Sequence, residues 1–146
     1  MIRIDVGEAD FIPATCLAEL ERLGGGAVAS FTGIVRGGEG LLSMRLDHYP
    51  AMTLTQLERI VEDARGRWPL LGVTVIHRVG ELRPGDRIVF VGTASAHRAA
   101  ALEACAFLID WLKTDAPFWK KESFGDGASR WVEARTEDDA ARDRWA

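Results

Sequence analysis

This sequence predicts an α+β fold in a single domain, and three observations carry that reading. Short segments alternate apolar and polar residues with period two, as half-buried strands do, while longer segments repeat at helical spacing. The two kinds mix without the regular strand–helix–strand alternation of a parallel α/β sheet. The chain has 146 residues, 47% hydrophobic and 27% charged, which suits one core built from residues 1–146.

Taken in order, residues 2–6 alternate as a strand. Pro13 suits the first turn of a helix, Leu17, Leu20 and Leu23 give that helix an apolar stripe, and Gly24-Gly25-Gly26 stops it. Ala27 to Val35 reads as a strand, followed by Gly37-Gly38-Glu39-Gly40, a mobile loop by composition. Ser43 to Tyr49 is a further strand with Met44, Leu46 and His48 on one side, so the loop would join the two strands as a long hairpin. Leu54, Leu57, Ile60, Val61 and Ala64 predict a helix over about 53–66. Val73, Val75, His77 and Val79 alternate as a strand, Arg83-Pro84-Gly85-Asp86 is a turn, and Ile88 to Val91 is a wholly apolar strand, buried on both faces. A helix over about 97–113 would bury Leu102, Cys105, Ile109 and Leu112, with Ser95 as its N-cap. Pro117 ends the connection after it. Residues 118–122 and 130–135 can pair as strands across a loop containing Asp126-Gly127, and the acidic tail 136–146 reads as a frayed helix.

Composition excludes several function classes. The net charge is −4 and no basic face is visible, which argues against a nucleic-acid binder. No apolar run approaches the ~20 residues that span a bilayer, and the N-terminus lacks the apolar stretch of a signal peptide, so a cytoplasmic location is expected. Cys16 and Cys105 form no CxxC pair and sit among apolar residues, as buried core thiols do. His48, His77 and His97 lack metal-ligand spacing, so no metal is expected. No Walker loop, GxGxxG fingerprint or Ser-His-Asp arrangement is present.

The uneven feature is the kind of cation. Of eighteen basic residues only Lys113, Lys120 and Lys121 are lysine, and they fall within nine positions. Lysine can give up its proton near neutral pH in a suitable site, whereas arginine cannot, so this segment reads as one that needs an amine. A charge at the end of the helix would equally suit Lys113. Lys120 and Lys121 are adjacent on a strand and point to opposite faces, so at most one of them faces any given pocket. Ser95-Ala96-His97-Arg98 follows a buried strand and opens a helix, a seat for phosphate. Arg36 ends a strand beside the glycine-rich loop and can grip phosphate or carboxylate in a bidentate way. Trp119 and Trp131 read as packing residues. These pieces leave open a hydrolase or lyase acting on a phosphorylated metabolite, and a scaffold that catalyses nothing.

Six blocks in order narrow the choice. Phe31-Thr32-Gly33-Ile34-Val35-Arg36, Leu46-Asp47-His48-Tyr49-Pro50-Ala51-Met52, His77-Arg78-Val79-Gly80 with Gly85-Asp86, Ser95-Ala96-His97-Arg98, Lys113 through Glu122, and Trp131-Val132-Glu133-Ala134-Arg135 resemble the segments of the molybdopterin synthase large subunit family. The resemblance implies an α/β hammerhead-like fold with an antiparallel or mixed sheet, packed helices and a small extra β subdomain. It implies a sulfurtransferase acting on cyclic pyranopterin monophosphate without a bound cofactor. Sulfur would arrive as a thiocarboxylate on the C-terminal Gly-Gly tail of a small ubiquitin-like carrier, and two large subunits would form the central homodimer of a heterotetramer. Carried over by position, Lys113 and Lys120 would be catalytic. Arg36, His97 and Arg98 would bind the pterin and its phosphate, Lys121 and Glu122 would line the same site, and Arg135 would reach in from the other subunit.

Overall fold

The computed structural model describes residues 1–132 and 136–146. Its elements run β1 (Ile2–Gly7), α1 (Pro13–Glu21), β2 (Ala27–Ile34), β3 (Leu41–His48), α2 (Pro50–Arg67), β4 (Leu70–Arg78), β5 (Gly80–Leu82), β6 (Arg87–Ser95), α3 (Arg98–Thr114), β7 (Phe118–Phe124), β8 (Ser129–Val132) and α4 (Thr136–Asp143). The strands form two four-stranded sheets, ordered β1-β4-β6-β2 and β5-β3-β7-β8. The first is mixed, because β1 runs parallel to β4 while β4 and β2 flank β6 antiparallel. The second is antiparallel throughout. The expected α+β class with a separate small β layer is what the chain adopts.

The period-two pattern positions the core. In β6, Val89 and Val91 face α2 and α3, packing with Leu57, Val61, Ala101 and Leu108. Phe90, between them, faces the other way and packs with Phe11, Cys16 and Ile76 beneath α1. The strand is therefore covered on both sides, as its unbroken apolar run requires. Phe90, Leu57 and Val91 have no exposed surface, and each such side chain contributes about 1.5–3 kcal/mol of burial. Gly92 continues β6 where α1 comes closest. A Cβ there would lie 2.5 Å from Leu20 Cδ1 and 2.9 Å from Phe90 Cε1. Both neighbours are buried and cannot yield.

Several sequence expectations are corrected. β2 and β3 do not form a hairpin. β2 pairs with β6 instead, and the register of that pair breaks at Gly33/Ile34, after which Val35 exchanges backbone hydrogen bonds with Asp86 and Gly85, and the chain changes sheets. Val35 then joins Met44, Leu46, Val79 and Leu82 in a second, smaller core. Hydrophobic alternation shows that two strands exist, not which sheet each belongs to. The three-residue β5 that pairs with β3 was too short to give a periodic signal. β6 extends to Ser95, so this residue is no helix cap; its hydroxyl donates to the Pro69 carbonyl at 2.7 Å. α3 begins at Arg98 instead, with His97 as an N-cap whose side chain makes no capping bond. α2 begins at Pro50 rather than near 53, since proline is pre-set for the first helical position.

The buried stripe of α3 is also rotated. Ala101, Ala104, Cys105 and Leu108 face inward, while Leu102 is 60% exposed. The small alanines let the helix lie close on the sheet, close enough for the buried Thr93 hydroxyl to donate to the Ala101 carbonyl at 2.6 Å. Leu54 likewise faces outward, but Cys16 and Cys105 are free and buried as expected. The tail is docked rather than frayed. The Trp145 indole packs edge-on against Trp68 and Phe107 and donates to Asp110 at 2.6 Å, and Arg142 pairs with Asp115 at 2.7 Å. Among the described residues no helix is long and apolar enough to cross a membrane.

Candidate active site

The C-terminal end of α3, the β7–β8 hairpin and the glycine-rich loop after β2 enclose a cleft of about 680 Å³. Arg36, Lys113, Lys120 and Glu122 all line it. Each reaches the cleft for a local reason. Arg36 stands where the chain leaves the first sheet, just past the Val35 crossover. Lys113 lies in the last turn of α3, where a cation also opposes the negative end of the helix dipole. Lys120 and Glu122 share one face of β7. That face turns to the cleft, opposite Leu46 and Met44 of β3.

The loop that bounds the cleft depends on unusual backbone angles. Gly38, Glu39 and Gly40 have φ of 126°, 52° and 78°, a conformation that glycine adopts freely. Gly40 accepts a 2.9 Å hydrogen bond from the Gly125 amide, tying the loop to the tip of the β7–β8 hairpin. The tip itself is the expected Asp126-Gly127 turn: Gly127 has φ of 86° and the Asp126 carboxylate accepts from the Ala128 amide at 2.9 Å.

The remaining expected site residues lie elsewhere. Lys121 is on the opposite face of β7, with its ammonium 5.7 Å from the Trp131 ring centroid, so it does not line this cleft as the resemblance implied. His97 and Arg98 stand at the other end of α3, exposed. Fifteen residues of helix separate Arg98 from Lys113, roughly 22 Å at 1.5 Å per residue, so neither side chain reaches the cleft of its own chain. Arg135 falls outside the described residues.

Two residues that sequence reasoning missed are important here. Arg130 lines the cleft from β8, directly across from Glu122. The Asp126-Gly127 turn fixes that register, so the sequence contained the signal. His77 is the other. It is buried, its ring lies flat against Phe118 with centroids 3.9 Å apart, and its Nδ1–H donates to the Arg78 carbonyl at 2.8 Å. Burial pushes the imidazole down to about 4. The Arg78 hydrogen bond opposes this, and the positive charges of Lys120 and Lys113 add to it.

This shift predicts a pH dependence of stability. An unfolded imidazole takes a proton near pH 6.5, whereas the folded one does so only near pH 4. The contribution is therefore whole above pH 6.5 and is lost as pH falls toward 4, by about 3 kcal/mol at 1.36 kcal/mol per unit. Urea denaturation at about pH 7 and about pH 4.5 should show a smaller loss for His77→Gln than for the parent. Parallel losses would remove His77 from the account.

A second cleft, of about 400 Å³, lies between α2, α3 and the C-terminal segment. Two of its three arginines are already matched. Arg67 bonds Asp63 and the Trp145 carbonyl, and Arg142 bonds Asp115 and Asp143. It is a seam of packing, and it contains no lysine.

An α+β chain that places two lysines and two arginines in one cleft, under a loop rich in glycine, defines an enzyme subunit suited to anionic substrates. The particular family follows from comparison. Residues 6–115 match the family model described as MoaE protein, and the chain belongs to that family. It is 56% identical over 128 residues to the molybdopterin synthase catalytic subunit of Escherichia coli strain K12, covering 86% of this chain and 85% of that one. It is 50% identical to the protein of the same name from Pseudomonas aeruginosa strain PAO1, over 97% of both. The solved structure of the molybdopterin biosynthesis MoaE protein from Burkholderia ambifaria MC40-6 superposes with a TM-score of 0.84 at 46% identity, covering 99% of this chain and 98% of that one.

Proposed function

We propose that this chain is the catalytic subunit of a molybdopterin synthase. It moves sulfur from the thiocarboxylated Gly-Gly tail of a small ubiquitin-like carrier to cyclic pyranopterin monophosphate and builds the dithiolene of molybdopterin, in the cytoplasm. The observation that carries the reading is the convergence of Lys113 and Lys120 with Arg36 on one cleft, in a chain whose only further lysine is the adjacent Lys121 and whose other fifteen basic residues are arginine.

The chemistry asks for those groups. The thiocarboxylate sulfur attacks a carbon of the pterin side chain as a carbon–oxygen bond of that carbon breaks, the oxygen leaving with the opened cyclic phosphate in one transfer and as water in the other. Once that C–S bond exists, water cleaves the acyl–sulfur bond, releasing the carrier's carboxylate and leaving sulfur on the product. Two carriers in succession supply two sulfurs. Each acyl cleavage builds an oxyanion and needs proton transfers, and opening the cyclic phosphate builds further negative charge. Lys113 and Lys120 supply the exchangeable protons, and Arg36 holds the anion. The carrier's tail suits a narrow entry because glycine lets a backbone pass where side chains would not.

His97 and Arg98 belong to this site only through a second copy of the chain. The pairing of β2 with β6 sets Ala27 beside Ser95 and Ile34 beside Arg87. A two-fold axis perpendicular to β2 at its outer edge would pair the two copies of β2 antiparallel and thus bring the start of one α3 toward Arg36 and Lys113 of the other copy. That edge strand carries no charge and no proline, the usual protections of an edge that must stay unpaired. The homodimer is then the unit that completes the site, with a carrier at each end.

Two measurements test this. Incubation with substrate and thiocarboxylated carrier should yield a two-sulfur product by mass spectrometry. Efficient product formation from free sulfide without a carrier would contradict the reading. Calorimetry should show Arg36→Ala and Arg98→Ala each weakening substrate binding by about 1.5–3 kcal/mol, the range for a hydrogen bond to a charged group. Unchanged affinity in both variants would remove them from the site.

A further inference from the structure

Arg130 has no role so far, although it faces the site. It stands opposite Glu122 across the β7–β8 ladder, so its side chain shares the face that carries Glu122 and Lys120. Its Nε lies 3.7 Å from Glu122 Oε1, a loose pair in which the arginine side chain is 65% exposed and the glutamate 22%. The guanidinium rests over the Phe124 ring, 5.0 Å from its centroid. An exposed pair of this kind contributes little to stability. What it does is hold a guanidinium at the cleft wall without committing its five N–H donors.

The charge of the cleft gives that placement a purpose. Among the described residues that line the cleft, Arg36, Lys113, Lys120 and Arg130 are accompanied by two carboxylates, Glu39 and Glu122. Glu122 is the half-buried member of its pair and is fixed on β7, whereas Arg130 is on the short edge strand β8. We propose that Arg130 is an anion clamp of the active site, parked on Glu122 and Phe124 when the cleft is empty and transferred to the anionic group of a bound ligand. A phosphate and a carboxylate or thiocarboxylate share the two-oxygen geometry that a guanidinium grips in a bidentate way, and the ammonium of lysine cannot reproduce it. As the arginine leaves, Glu122 is freed toward Lys120 on its own face of β7, so that ligand binding and the charge around the lysine change together.

This inference rests on the proposed function for the identity of the ligands, and its test does not depend on turnover. Arg130→Gln and Arg130→Lys are compared with the parent by calorimetry. One arm uses inorganic phosphate, the other a short peptide ending in Gly-Gly with a free carboxylate. At least one ligand should bind the parent and lose tenfold or more in affinity in Arg130→Gln, with Arg130→Lys falling between the two. The arm that responds identifies the anion. Steady-state assays should then show a raised KM for the matching ligand with kcat within a few-fold of the parent. Equal affinity of parent and Arg130→Gln for both ligands, or no binding of either by the parent, overturns the clamp. So does an affinity loss accompanied by an equal loss of thermal stability in both variants, the signature of a structural role. A parent that binds these ligands but makes no sulfurated product would count against the proposed function and leave the clamp standing.

Discussion

Lys113→Arg is expected to fold and dimerise normally and to lose at least ~100-fold in turnover, within the range for removing an acid–base group. The position at the C-terminal end of α3 gives any cation an electrostatic reason to be there. If that were its whole role, arginine would serve as well. Lys113 lines the cleft with Lys120 and Arg36, however, and a guanidinium stays protonated at every pH the enzyme meets. A group that must give or take a proton, or attack as an amine, cannot be replaced by it. Lys121→Arg is the natural control. Its side chain points away from the cleft toward Trp131, where arginine keeps both the charge and the contact with the ring, and its turnover should stay near the parent's. Single-turnover product formation with saturating carrier and substrate, together with thermal melts, separates the cases. A Lys113→Arg enzyme within a few-fold of the parent would leave Lys113 only an electrostatic role.

The second large effect is a recovery rather than a loss. Mixtures of Lys113→Ala and Arg98→Ala chains should regain activity that neither has alone when substrate is kept below its KM. In a homodimer of either variant both sites are damaged. In the mixed dimer the two lesions fall in the same site, and the other site is intact. Random assortment makes half the dimers mixed, so about a quarter of parental activity is expected from a two-fold symmetric pair. This follows from the length of α3, which keeps Lys113 and Arg98 roughly 22 Å apart in one chain. If both residues acted within one chain, the mixture would show only the sum of its parts. Co-refolded or co-expressed variants, assayed against each variant alone, decide between the two arrangements.

What the sequence made legible depended on the range of the interactions involved. Elements whose signal is local were readable: the stripe that buries Leu57, Val61 and Ala64, the alternation through Val73 and Val75, and the Asp126-Gly127 turn. The opposite facing of Lys120 and Lys121 follows from the period of a strand, and β7 obeys it. Sheet membership was not readable, because the bulge after Gly33 and the crossover of Val35 to Asp86 depend on partners about fifty residues away. The facing of Leu102 was missed because alanines and a buried threonine bond, not the largest apolar side chain, set how α3 lies on its sheet. In the site, lysine scarcity pointed to Lys113, Lys120 and Lys121 together, and the resemblance selected Lys120 over Lys121. The predicted helix over about 97–113 already set His97 and Arg98 at the opposite end from Lys113, but a resemblance carried over position by position takes no account of that distance. Arg130 was overlooked because its significance lies in a register rather than in a motif. His77 was overlooked because its contacts, the Phe118 ring and the field of two lysines, are tertiary.

The central claim is that this cleft transfers sulfur from a carrier's thiocarboxylate to the pterin. The most direct measurement uses a carrier loaded with a heavy sulfur isotope, incubated with this chain and cyclic pyranopterin monophosphate in the presence of sulfide of natural isotopic composition. The account predicts a product in which both dithiolene sulfurs are heavy, formed by the parent and suppressed in Lys113→Ala and Lys120→Ala. Light sulfur in the product, or heavy product at undiminished rate in both lysine variants, would contradict it.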